Sequence, residues 1–69
     1  MDYTKDDLLE AKRQIDSTLH KLRETVKTLE AKETPSRYKS QITLAKRRIA
    51  AFELANHLIE KEIKERNEE

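Results

Sequence analysis

The sequence predicts an all-α fold, an antiparallel two-helix hairpin of the coiled-coil type, from three observations. Charged residues make up 42% of the 69 residues, glycine is absent, and the only proline, Pro35, lies near the middle of the chain. Aliphatic residues recur every three or four positions on both sides of that proline. This spacing is typical of helices, because strands alternate every second position. Disorder is the competing interpretation of so much charge, but a disordered chain would not need regular aliphatic spacing.

The first helix is predicted to begin after Thr4. Thr4 and Asp7 form a capping-box pattern, in which the threonine hydroxyl accepts a hydrogen bond from an amide of the first turn. Tyr3 and Leu8 stand at the positions of a hydrophobic staple. A heptad row of aliphatic residues then indicates one buried face. Its members are Leu8, Ile15, Leu19, Leu22, Val26 and Leu29.

Pro35 separates the two helices, because proline cannot donate a backbone hydrogen bond and disfavours helical geometry in the residue before it. We predict a single domain over 1–69, with helix 1 over about 5–32, a turn at 33–35 and helix 2 over about 36–66. One continuous helix kinked at Pro35 is the alternative. The second helix has its own heptad row, formed by Tyr38, Ile42, Ala45, Ile49, Phe52, Asn56, Ile59 and Ile63.

Each row is interrupted by one polar residue, Lys12 in the first and Asn56 in the second. A hairpin folded about Thr34 pairs residues whose numbers add to about 68, which sets Lys12 opposite Asn56. A polar residue at a heptad position can fix register at some cost in stability. We therefore predict that Lys12 and Asn56 form a register-setting polar layer. A binding site for a small anionic ligand is the alternative interpretation.

The second helix carries more aliphatic surface than one partner helix can cover. A second stripe lies about 120° round this helix from the heptad row, counting about 100° per residue. Such a stripe is not left in water without cause. We predict that it forms the interface of a homodimer, a four-helix bundle, with another helical protein as a further partner class. Its residues are Leu44, Ala51, Leu54, Ala55 and Leu58.

The charge distribution favours head-to-tail packing of two hairpins. The net charge is only +1, but 21–48 carry nine Lys or Arg against three Glu, whereas both flanks are acidic. Antiparallel packing sets the basic turn half of one copy beside the acidic open end of the other.

No residue arrangement indicates catalysis, because a narrow pair of helices offers no concave site for a nucleophile, its base and an orienting group. We predict a non-enzymatic structural or protein-interaction module with no cofactor, no metal and no small-molecule substrate. Glu53 and His57 stand four residues apart, and we interpret them as an exposed ion pair rather than as metal ligands.

A nucleic-acid-associated accessory protein is the alternative function. It would use a cluster of cations near the turn to contact phosphates. The acidic ends argue against it, and Tyr38, the only aromatic residue interleaved with these cations, belongs to the heptad row. The sequence shows neither a signal peptide nor an apolar run long enough to span a membrane, and we expect a cytoplasmic protein. The cluster is Arg37, Lys39, Lys46, Arg47 and Arg48.

Overall fold

The computed structural model describes residues 2–67, apart from the side chain of Pro35, and shows two α-helices packed against each other. Helix α1 spans Lys5–Glu30 and helix α2 spans Lys39–Asn67, with a 3-10 turn at Pro35–Tyr38 between them. No strand occurs among the described residues, and the molecule measures 52 × 19 × 15 Å. The predicted all-α hairpin is confirmed. Met1, Glu68 and Glu69 of the predicted domain lie outside the described residues.

Helix α1 begins where the capping box predicts. The Thr4 hydroxyl accepts a hydrogen bond from the Asp7 amide at 3.1 Å, and the Thr4 amide donates to Asp7 Oδ2 at 3.0 Å. Thr4 itself is extended, with φ −79° and ψ 164°. Asp6 and Asp7 add negative charge where the helix dipole is positive. The beginning of α1 therefore depends only on residues next to each other in sequence.

The connection between the helices is longer than the predicted turn at 33–35. Helix α1 ends at Glu30, and the Ala31 amide donates to the carbonyl of Lys27 at 3.2 Å. Thr34 has φ −125° and ψ 75°, outside the helical region, as expected before proline. The 3-10 turn occupies the first residues predicted for helix 2, so α2 itself begins at Lys39.

The two heptad rows face each other, and none of their members is exposed. Even so, the cover is incomplete, because no large side chain among the described residues is fully enclosed. Two helices alone can shield only one side of each row, so most row residues stay half-buried. The best-buried positions are Leu19, Val26, Ala45 and Asn56.

Polar contacts between the helices join residues whose numbers add to 72 or 76, rather than to the 68 that folding about Thr34 suggests. Side-chain direction accounts for part of the difference, since each helical side chain leans by about one residue towards the N-terminus of its own helix, and the long Lys, Arg and Glu side chains reach further. In an antiparallel pair, the ends of two side chains therefore meet when each residue lies C-terminal to the pair of backbone positions that face each other. The contacts are Lys12–Glu60, Asp16–Asn56, Arg23–Glu53 and Glu30–Lys46.

Candidate protein-interaction surface

Asp16 connects the two polar residues that interrupt the heptad rows. Asn56 is only 8% exposed, and its Nδ2 donates to Asp16 Oδ1 at 2.8 Å. The Lys12 ammonium lies 3.0 Å from Asp16 Oδ2 and 3.1 Å from Glu60 Oε1. The structure thus brings Lys12 and Asn56 together through a carboxylate, while their role in setting register stays a prediction. We call Lys12, Asp16, Asn56 and Glu60 the polar layer.

Two members of the polar layer, Asp16 and Glu60, were not predicted from the sequence. A signal for Asp16 was present, since it follows Lys12 by four residues and such pairs share one side of a helix. The lean of helical side chains would have shifted the expected partner of Lys12 from Asn56 towards Glu60.

The side-chain oxygen of Asn56 is buried and accepts no hydrogen bond within the chain. Asn56 Nδ2 donates to the Asp16 carboxylate, and this hydrogen bond fixes the orientation of the amide. The reverse orientation would place the amide oxygen against a carboxylate oxygen, and both are acceptors. A buried acceptor without a donor costs about 1–3 kcal/mol. The polar layer therefore carries a cost in stability.

Charge pairing in the polar layer shifts two pKa values in opposite directions. Hydrogen bonds from Lys12 and then from Asn56 hold the pKa of the Asp16 carboxyl below its ordinary value. Hydrogen bonds to Asp16 and then to Glu60 raise the pKa of the Lys12 ammonium above its ordinary value. Both shifts favour the charged forms, so the layer is an ion pair at neutral pH.

Because of the polar layer, we expect the stability of the hairpin to fall in acid and to stay unchanged in mild base. The lowered pKa of Asp16 means that its contribution is complete above about pH 4 and is lost as the pH falls further. The raised pKa of Lys12 means that its contribution is complete below about pH 10 and is lost only at higher pH. Thermal melts followed by circular dichroism from pH 9 to pH 3 should show a fall in melting temperature below about pH 4 and no fall up to pH 9.

The Asp16→Asn variant supplies the control for this pH dependence. It removes the titrating carboxyl, so its melting temperature should fall less between pH 5 and pH 3 than that of the parent chain. Equal falls in the two proteins would contradict a role for Asp16 in the acid response.

The second aliphatic stripe of α2 is open to solvent in the single chain. Leu44 is 50% exposed, Leu54 is 64% exposed and Leu58 is 61% exposed. Ala51 is also exposed, and Ala55 is half-buried beside α1. These are the five residues predicted for the dimer interface, and together they leave more leucine surface in water than any other part of the described chain.

The hairpin has two different faces. At about 100° per residue, Lys12, Arg23 and Glu30 lie on one side of the α1 row, and their partners on α2 lie on the matching side of its row. Every cross-helix ion pair of residues 2–67 therefore falls on this ion-pair face.

The opposite face carries the aliphatic stripe. On α1 it presents small side chains, with Ala11 and Thr18 half-buried and Thr25 exposed. Small residues beside exposed leucines let another helix approach closely. We call this surface the aliphatic face, formed by Ala11, Thr18, Thr25, Leu44, Ala51, Leu54, Ala55 and Leu58.

The predicted cation cluster does not gather on one face. Lys46 lies 3.5 Å from Glu30 in an ion pair of the ion-pair face. The α2 members, Lys39, Lys46, Arg47 and Arg48, spread over about 200° of the helix circumference. A duplex lying on one side of α2 could meet only some of them.

Glu53 does not pair with His57, so that part of the sequence interpretation is wrong. Its carboxylate instead lies 3.0 Å from the guanidinium of Arg23, across the hairpin. No group of three or more potential metal ligands occurs within the described range. Among the same residues, no helix combines the length and apolar character needed to cross a membrane.

No protein-family model, curated protein or solved structure matches this chain. The hairpin itself offers two distinct faces, one closed by ion pairs and one open and aliphatic.

Proposed function

We propose that this chain is a non-enzymatic helical module that self-associates through its aliphatic face. One observation carries the proposal: three leucines of α2 are half to two-thirds exposed on a face that lacks cross-helix ion pairs. Burying a leucine side chain contributes about 1.5–3 kcal/mol. Because these leucines are 50–64% exposed in the hairpin, each has about half of that amount left to gain, and six of them in two copies gain an amount of the same order as the cost of association.

The incomplete core supports the same proposal. Most residues of the two heptad rows stay half-buried, because two helices cannot surround a row. A chain of this length has a small core, and chains of this size are commonly stabilised by association. A second hairpin would shelter the edge of the rows next to Thr18 and Ala55, as in a four-helix bundle.

The charge distribution favours a second copy over an unrelated helical protein as the partner. The turn half, 21–48, carries nine basic and three acidic residues, and both flanks are acidic. Each copy therefore offers the charge that the other lacks when the two lie head to tail.

Sedimentation equilibrium over a range of concentrations tests the proposal. We expect a dimer at micromolar concentration and dissociation on dilution. A single-chain mass throughout the micromolar range would contradict self-association.

The exposed cations near the turn favour a second candidate function, association with nucleic acid. Arg37, Lys39, Arg47 and Arg48 are exposed and take part in no ion pair within the described chain. Because they spread round α2, we expect no retention on duplex DNA or RNA at physiological salt. Retention that falls steeply with rising salt would instead favour the nucleic-acid function.

A further inference from the structure

Helix α2 carries its acidic residues only in its second half. Residues 39–52 contain four basic residues and no acidic one, whereas 53–67 contain four acidic and three basic residues. The aliphatic stripe runs from Leu44 to Leu58, so its centre, Ala51, lies next to the charge boundary. A helix with this pattern is complementary to an antiparallel copy of itself and repels a parallel one.

An open hollow beside Leu44 marks the basic end of the stripe. It has a volume of about 310 Å³ and is lined by Lys39, Ser40, Thr43, Leu44 and Arg47. Two of these residues are cationic, so the hollow suits an aliphatic side chain followed one turn later by a carboxylate. Leu58 and Glu62 of α2 have this spacing, and Leu58 is 61% exposed.

We propose that two copies associate through an antiparallel α2–α2 contact centred on Ala51, in which Leu58 and Glu62 of each copy occupy the hollow beside Leu44 of the other. This inference rests on the proposed self-association and adds its orientation and register. Residues in contact across the interface have numbers that add to about 102. Ala51 of one copy therefore contacts Ala51 of the second copy at the two-fold axis.

The same register provides partners for groups that lack them in the single chain. Arg37 lies opposite Glu65 of the second copy, and neither residue takes part in an ion pair within the hairpin. The small residues of α1, Thr18 and Thr25, leave room for the second α2 beside them.

Disulfide trapping in the full chain tests the register, since the sequence contains no cysteine and introduced thiols are the only ones present. Three single variants are prepared, Leu44→Cys, Ala51→Cys and Leu58→Cys, with Lys27→Cys on the opposite face as a control. Each is oxidised gently at micromolar concentration, alone and as a mixture of the Leu44→Cys and Leu58→Cys chains. Sedimentation of each reduced variant checks that it still associates.

The antiparallel register predicts that Ala51→Cys links to itself and that the mixture links far more than either of its two components alone. Lys27→Cys should link no more than random collision allows. Strong self-linking of both Leu44→Cys and Leu58→Cys would show a parallel contact, and a dimer that forms none of these links would show another interface. Either result overturns this inference while self-association stands. A parent chain that sediments as a monomer would overturn both.

Discussion

Replacing Leu58 with lysine should convert the dimer into a monomer at micromolar concentration. Leu58 is 61% exposed in the single hairpin, so the hairpin itself can accept a cation there. In the proposed dimer the lysine would lose the burial of leucine and face the basic half of the second copy. Losing about 2 kcal/mol in each copy weakens the dimer by about 4 kcal/mol, roughly a thousandfold in the dissociation constant. Sedimentation equilibrium measures the change.

Leu9 provides a matched control for this substitution. It is 45% exposed and lies on the side of α1 that carries the ion pairs, away from the aliphatic face. Leu9→Lys should therefore leave the dissociation constant within about threefold of the parent value, less than 1 kcal/mol. Equal weakening by both substitutions would point to a general loss of stability instead of a specific interface.

The sign of the introduced charge adds a second comparison. Leu58→Glu should weaken the dimer less than Leu58→Lys, because glutamate would face the cations Lys39 and Arg47 of the second copy. A parallel dimer would not favour glutamate in this way, since Leu58 would then face Leu58. Far-UV circular dichroism on the same samples reports helix content, so dissociation can be distinguished from unfolding.

The features of the fold that the sequence predicted depend on neighbouring residues or on helical periodicity. Thr4 and Asp7 are three positions apart, so their capping box forms wherever the helix begins. The heptad rows follow from spacing alone, and positions such as Leu19 and Val26 are buried as their spacing predicts. The exposed positions of Leu44 and Leu58 were likewise predictable, because they lie about 120° from the row.

The features that the sequence did not predict depend on how the chain reverses and on where side chains lean. Helix α1 stops at Glu30, before a 3-10 turn at Pro35–Tyr38, and no residue between Glu30 and Pro35 marks that end in the sequence. The pairing of Arg23 with Glu53 depends on the lean and the reach of two long side chains, which a count from the turn ignores. The pairing of Lys12 with Glu60 was not predicted for the same reason.

Replacing Asn56 with isoleucine should raise the melting temperature. Asn56 is only 8% exposed, and its buried oxygen accepts no hydrogen bond, so the substitution removes a cost and adds aliphatic burial. The lost partner, Asp16, keeps its ion pair with Lys12 and has a half-exposed side chain that water can reach. A net gain of about 1–2 kcal/mol corresponds to an increase of roughly 5–15 °C for a chain of this size. Thermal melts at several concentrations measure it.

Two further variants determine how an increase would be interpreted. Asn67→Ile makes the same substitution at an exposed position of α2 and should change the melting temperature little. Asn56→Asp places a second carboxylate beside Asp16 in a buried position and should lower the melting temperature strongly.

If Asn56 holds the two helices in register, the isoleucine variant should also show a broader distribution of oligomers by sedimentation velocity, because the rows could then slide past each other. A lower melting temperature for Asn56→Ile would mean that the bond to Asp16 stabilises the hairpin by more than the unpaired oxygen costs.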